Sequence, residues 1–208
     1  MRIGILGGTF DPVHVGHIFI AEEARIRLEL EKVLFIPAGN PWLKISHQVT
    51  PAWQRVEMVR LAIAKHERFH LCTVEVERSG PSYTAETLKT LRAKFPDDEF
   101  YLIFGRDSFT QLPLWKDPER IVAMSKLVVV PRIGTNLPEL SKVAAKVEGL
   151  SSDRVVTLDS PMIGISSSGI RERVSKGLPI DYLVPGEVDK YIVAHGLYAD
   201  GQGKTAEG

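Results

Sequence analysis

The chain has 208 residues, 44% of them hydrophobic and 25% charged, with 26 basic residues balancing 26 acidic ones. That length suits one α/β domain with a core large enough to need no staples, and the charge balance argues against a protein that binds nucleic acid or a membrane surface through its overall field. Cys72 is the only cysteine, which excludes an internal disulfide and a cysteine-rich zinc site. It reads as a small buried strand residue rather than a nucleophile.

Arg2 to Leu6 is a short apolar run stopped by Gly7-Gly8, and reads as a buried strand with neither a basic leader nor an apolar signal core before it. No apolar run approaches membrane-spanning length, so a cytoplasmic protein is expected. Val15 to Leu30 turns helical, with Ile18, Ala21, Ile26 and Leu30 as core candidates. Lys32 to Pro37 is a second strand. Pro51 to His66 is a helix with Thr50 as N-cap, its core side marked by Val56, Val59 and Ile63. Leu71 to Val76 is a third strand, Thr84 to Phe95 a helix ended by Pro96, and Phe100 to Phe104 a fourth strand. A short helix at Pro118 to Met124 leads to a fifth strand, Lys126 to Val130, and Arg154 to Leu158 supplies a sixth. Two last helices run from Ser167 to Lys176 and from Pro185 to His195.

Strands that alternate with helices imply parallel pairing through right-handed crossovers. The expected fold is therefore α/β: a Rossmann-like doubly wound, mainly parallel sheet with helices on both faces and a small C-terminal helical part. One domain over residues 1–199 is expected, with 200–208 a polar, disordered tail. Ligands on such a sheet bind beyond the carboxyl ends of the strands, and every polar motif of this chain follows a strand.

The strongest of these motifs is Gly7-Gly8-Thr9-Phe10-Asp11-Pro12-Val13-His14-Val15-Gly16-His17. The glycines allow a sharp turn that brings backbone N–H groups to a ligand, and Thr9 adds a hydroxyl. A helix starting near His14 aims its positive dipole end at the same place. His14 and His17, three apart, put their rings on one face, and Gly16 between them leaves space for a ligand to approach. The set suits a triphosphate whose charge shifts during reaction. No His-Glu-x-x-His arrangement accompanies the two histidines, so a metal site is not expected there. Gly203-Lys204-Thr205 imitates the end of a P-loop, but Tyr198 stands where its earlier glycine is required; no Gly-x-Gly-x-x-Gly is present either. A second phosphate element is Ser166-Ser167-Ser168 with Arg171, hydroxyls at a helix start followed one turn later by a guanidinium fork. Read by themselves, Lys44 is a solvated loop lysine, Trp115 a half-buried aromatic at an edge, and Tyr83-Thr84 the start of a helix capped by Thr84. His47, His66, His70 and His195 carry no motif and read as structural or surface residues.

These residues resemble the His-x-Gly-His nucleotidyltransferases and, within them, the bacterial nicotinate-nucleotide adenylyltransferases, from Met1 to about Tyr198. The opening motif is shared with relatives that use other acceptors; the downstream motifs narrow the choice. The resemblance implies that Gly7, Gly8, Thr9, Phe10, His14, Gly16 and His17 bind ATP. It further implies that Gly105-Arg106-Asp107 lies near ribose and adenine, and that Ile165, Ser166, Ser167 and Arg171 form a second phosphate loop. Pro41-Trp42-Leu43-Lys44 resembles the loop whose lysine contacts the mononucleotide phosphate. Ser82-Tyr83-Thr84-Ala85-Glu86-Thr87-Leu88 resembles the element beside the nicotinate ring, and Leu112-Pro113-Leu114-Trp115 the loop whose tryptophan stacks on that ring. Glu86, Ser168 and Ile133 depart from the usual residues. The bulk of Arg106 leaves the adenine contacts open.

The implied reaction joins ATP and nicotinate mononucleotide into deamido-NAD and pyrophosphate, as a step of NAD biosynthesis. Mg²⁺ is expected as cofactor, held mainly through substrate phosphates, with His14, His17 and Arg171 as the catalytic set. Nicotinamide mononucleotide and phosphopantetheine are the alternative acceptors; a non-catalytic nucleotide-binding module and, more distantly, a dehydrogenase are the other readings. A homo-oligomer is compatible with the sequence, and no nucleic-acid or membrane partner is expected.

Overall fold

The computed structural model describes residues 1–41, 49–130, 140–158, 161 and 163–199. Six strands, β1 (Arg2–Gly8), β2 (Lys32–Pro37), β3 (Phe69–Leu71), β4 (Glu99–Gly105), β5 (Lys126–Val130) and β6 (Val155–Thr157), form one sheet in the order β3-β2-β1-β4-β5-β6. Every pairing is parallel. Around them lie α1 (Val15–Arg27), α2 (Ala52–Ile63), α3 (Thr84–Lys94), α4 (Arg106–Gln111), α5 (Pro118–Met124), α6 (Leu140–Ala144), α7 (Ser167–Ser175) and α8 (Gly186–Ala194). The chain winds from β1 outward through β2 and β3, then returns to add β4 on the other flank of β1. That order makes the carboxyl ends of β1 and β4 the switch point where a doubly wound sheet opens a crevice.

Both faces of the sheet are covered, which is why its strands read as nearly continuous apolar runs. Alternation within each strand still sorts the side chains. Leu6, Phe35, Tyr101, Ile103 and Val128 face one core with Ala21, Ala24, Met58, Ile170, Val188 and Ile192. Ile3, Ile5, Leu34, Leu102 and Val129 face the other with Leu88, Leu91, Phe109, Ile121 and Val122. Each fully buried Leu, Ile or Val contributes on the order of 1.5–3 kcal/mol. Gly4 sits where that packing is tightest: a Cβ there would lie 2.9 Å from Leu30 Cδ1 and 3.1 Å from Val33 Cγ2.

The structure departs from the sequence reading in six places. The third strand is Phe69–Leu71, not Leu71 to Val76, because Val76 and Glu77 N–H groups both turn back to the Thr73 carbonyl. Cys72 accordingly lies just past the strand and is only half-buried. Ile26 is 56% exposed on the outer side of α1, which ends at Arg27. Thr50 does not cap α2, whose N-cap is Pro51, and Thr84 is the first residue of α3, not its cap. Finally, α4 and α6 are too short to leave a periodic signal. The tail at 200–208 lies outside the described residues.

Candidate active site

The two glycines that end β1 have different surroundings. A Cβ on Gly7 would meet nothing within 4 Å, whereas one on Gly8 would press on the Phe10 ring at 3.1 Å. Phe10 takes a left-handed φ of 51°, a conformation uncommon for a bulky residue. Its ring is 2% exposed and lies between His17 and Phe35. So Phe10 supports the loop from beneath, and any ligand contact there falls to its backbone. His14 caps α1 from an extended conformation, and its backbone N–H donates to His17 Nδ1 at 3.2 Å. The two imidazoles stack with centroids 3.7 Å apart, as the spacing predicted. Gly16 has another reason than the expected one: a Cβ there would lie 3.0 Å from His14 Nδ1, so the glycine makes room for the His14 ring.

The Ser166-to-Arg171 element joins the turn after β1 across 155 residues. Ser166 caps α7 by accepting from the Gly169 N–H at 3.2 Å, as expected of an N-cap. Ser167 Oγ donates to the Pro12 carbonyl at 2.9 Å, and Arg171 Nη1 donates to the Asp11 carbonyl at 2.7 Å. Ile165 packs at the edge of the core. The N-terminus of α7 and the turn after β1 are thereby one surface, to which α1 and α7 both offer positive dipole ends. Gly105 caps α4 at the end of β4, with Asp107 exposed in the first turn. The Arg106 Nε is buried without a hydrogen-bond partner among the described residues.

A cleft of about 200 Å³ continues from Gly7, Gly8 and Thr9 to Pro41, Glu75, Ser82, Thr84, Thr87, Ser108 and Trp115. Trp115 is half-buried and tilted against Phe104 at 5.9 Å, with its indole N–H buried and unpaired among the described residues. Tyr83 and Thr84 stand at the N-terminus of α3, whose dipole end suits an anion. Lys44, with Trp42 and Leu43, lies outside the described residues, as do Ile133 and His47.

Two buried polar residues of the site have no motif to announce them. Glu75 is 8% exposed and lines the cleft, accepting from Thr87 Oγ1 at 2.7 Å. Ser82 Oγ in turn accepts from the Gly39 and Asn40 N–H groups at 2.9 and 3.1 Å. Burial raises the Glu75 carboxyl above its ordinary 4.5, against the opposing pull of Thr87, Ser82 and the Arg78 charge. With the folded value above the unfolded one, stability is greatest below the unfolded pKa and declines as pH rises through the folded pKa. Glu75→Gln should therefore gain stability relative to the unchanged protein between about pH 4 and pH 7. Thermal midpoints at both ends of that window check this; a constant or shrinking difference would contradict it.

Arg55 is the second, 1% exposed on α2. It donates from Nε to the Thr50 carbonyl at 2.8 Å, from Nη1 to that of Thr9 at 2.7 Å, and from Nη2 to that of Gly39 at 3.3 Å. Nearby Asp11 accepts from the Thr50 N–H at 3.3 Å and from the Tyr198 hydroxyl at 2.7 Å. Desolvation lowers the Arg55 guanidinium, opposed by Asp11 and Tyr198, and burial with Asp11 raises the Tyr198 phenol. Only a charge flanking a run of apolar residues was visible in the sequence, and such an arginine reads as surface.

The family described as cytidylyltransferase-like matches residues 5–173. A protein of Dehalococcoides mccartyi named "probable nicotinate-nucleotide adenylyltransferase" is 42% identical over 95% of this chain and 97% of its own length. Relatives of the same name from Roseiflexus and Synechococcus are 43% and 44% identical, over 94% and 96% of this chain and 97% and 95% of their own. The chain belongs to the nicotinate-nucleotide adenylyltransferase family. In fold, the chain is similar to a Plasmodium falciparum nicotinic acid mononucleotide adenylyltransferase complexed with NaAD. That structure superposes with a TM-score of 0.75 at 20% identity, over 95% of this chain and 97% of the other. A Vibrio parahaemolyticus neighbour superposes at 0.68 and 16% identity, over 96% of each chain.

Proposed function

We propose that the chain transfers the adenylyl group of ATP to nicotinate mononucleotide, forming deamido-NAD and pyrophosphate in NAD biosynthesis. The observation that carries this reading is the single cleft running from the Gly7-Gly8-Thr9 turn to Thr84 and Trp115. It offers one end to a triphosphate and the other to a flat anionic ring. The acceptor phosphate is already an anion, so no general base is required. The task is to bring two anions into line and to stabilise charge as pyrophosphate departs. His14, His17, Arg171, Ser166, Ser167 and the turn amides hold the triphosphate; Gly105 and Asp107 flank the adenosine. Tyr83, Thr84 and Trp115 hold the nicotinate, and Lys44 its phosphate.

Mg²⁺ fits this site as an ion carried by the substrate. The acid nearest the first loop, Asp11, is 2% exposed and already accepts from Thr50 and Tyr198. Among the described residues no group of three His, Cys, Asp or Glu side chains is arranged to hold a metal. Mg²⁺ carried in by the substrate would supply neutralisation of phosphate charge. No helix among the described residues is long and apolar enough to cross a membrane, and we place the reaction in the cytoplasm.

Trp115→Ala should raise the KM for nicotinate mononucleotide about 10- to 100-fold, the equivalent of a lost base–aromatic stack, and leave the KM for ATP within about twofold. Equal changes for both substrates would remove Trp115 from the acceptor half. The reaction itself is checked by chromatography and mass of the product formed from ATP and nicotinate mononucleotide. Deamido-NAD with stoichiometric pyrophosphate is expected; pyrophosphate without a dinucleotide would contradict it.

A further inference from the structure

Arg55 stands apart from every motif, yet its bonds end on both halves of the site. Its Nη1 holds the carbonyl of Thr9, in the turn assigned to the triphosphate. Its Nη2 and Nε hold the carbonyls of Gly39 and Thr50, the two described flanks of the connection that carries Lys44. We propose that Arg55 is a positioning residue, a buried clamp that fixes the turn after β1, assigned to ATP, against the segments at Gly39 and Thr50 at the separation required for in-line transfer.

Three arguments support a guanidinium in this role. Its planar fork donates in fixed directions, so one side chain can hold three carbonyls that belong to three different segments; a lysine ammonium is a point charge on a flexible stem. Burying a charge is costly unless it is hydrogen-bonded and compensated, and here each guanidinium nitrogen is bonded, with Asp11 the acid whose field supports it. Third, the β1–β2 ladder, which ends by pairing Gly8 with Pro37, and the other links between these segments stop short of Thr9 and Gly39. The Ala38 N–H reaches the Gly8 carbonyl at 2.9 Å, and the Asp11 carboxylate reaches the Thr50 N–H. Neither crosses from Thr9 to Gly39 as Arg55 does. Each loop keeps its own ligand contacts without the clamp; what it sets is their relation. A displacement of about 1 Å between reacting groups is worth on the order of a hundredfold in rate.

The inference rests on the reaction proposed above. Arg55→Lys should lower kcat for adenylyl transfer about 10- to 100-fold, with the KM for ATP and for nicotinate mononucleotide each within about threefold. Tyr198→Phe is the control: it removes the hydroxyl bonded to Asp11 and leaves all three Arg55 bonds in place, so it should lose stability and keep kcat within about twofold. A purely structural Arg55 would behave like Tyr198, with a lower thermal midpoint and unchanged kcat in the folded fraction; that result, or a rise in KM at constant kcat, overturns the proposal. Should Arg55→Lys fold poorly, Gly39→Ala attacks the clamp from the other side. Its Cβ would lie 2.2 Å from the Glu75 carbonyl oxygen, so the Gly39 backbone must shift, and the same fall in kcat is expected; unchanged kcat there overturns it. Hydrogen exchange makes the test independent of the substrate's identity. The amides of 8–11 and of 38–40 should exchange faster together in Arg55→Lys, and protection unchanged in either segment contradicts the clamp even if the acceptor proves to be another phosphate.

Discussion

Replacing His17 by alanine should lower kcat about 10²- to 10³-fold, the usual loss when one preorganised donor to developing charge is removed. The structure separates that loss from a folding defect. His17 Nδ1 accepts the His14 N–H, so in this arrangement the ring proton resides on Nε2 and that nitrogen serves as a donor. Alanine removes both functions. Loss of the cap costs about 1 kcal/mol and lowers the thermal midpoint by only about 2–4 °C in a chain of this size. His17→Asn divides the two, because its side-chain oxygen can take the place of Nδ1 while nothing replaces Nε2–H. Steady-state kinetics should find both variants equally slow, with asparagine restoring the midpoint. An asparagine variant with near-normal turnover would remove His17 from the catalytic set.

Arg171→Ala should be comparably severe, about 10²-fold in kcat/KM for ATP, with little change in the KM for the mononucleotide. The side chain donates to the Asp11 carbonyl while standing one turn inside α7, so it both joins the turn after β1 to the start of α7 and brings a permanent positive charge between them. Arg171→Lys keeps the charge and loses the fork. If the fork matters, lysine recovers only part of the rate; full recovery would reduce Arg171 to a point charge. Kinetics with ATP varied at saturating mononucleotide distinguishes these outcomes.

The legible part of this protein is the part written in local patterns. β1, β2, β4 and β5 were readable because strands covered on both faces are continuous apolar runs, and the turn after β1 because glycines, a proline and two histidines crowd eleven positions. The third strand was misplaced because Leu71 to Val76 has strand composition while its Thr73 carbonyl closes a turn. Gly16 was read as space for a ligand, yet the His14 ring fills that space; a glycine in sequence shows that room is needed and not by what. Phe10 was read with its motif although its ring lies in the core. Arg55, Glu75 and Tyr198 escaped altogether, because their partners, the Thr9 carbonyl, the Thr87 hydroxyl and the Asp11 carboxylate, lie 46, 12 and 187 residues away and only the fold brings them together.

The proposed division of roles, in which the turn after β1 dictates adenylyl transfer and Tyr83, Thr84 and Trp115 dictate the acceptor, is tested most directly by measuring pyrophosphate release from Mg²⁺-ATP with nicotinate mononucleotide, nicotinamide mononucleotide and phosphopantetheine side by side. The highest kcat/KM should be found with nicotinate mononucleotide, and that advantage should collapse in Trp115→Ala. Fastest release with phosphopantetheine, or an unchanged order of preference in the variant, would contradict it.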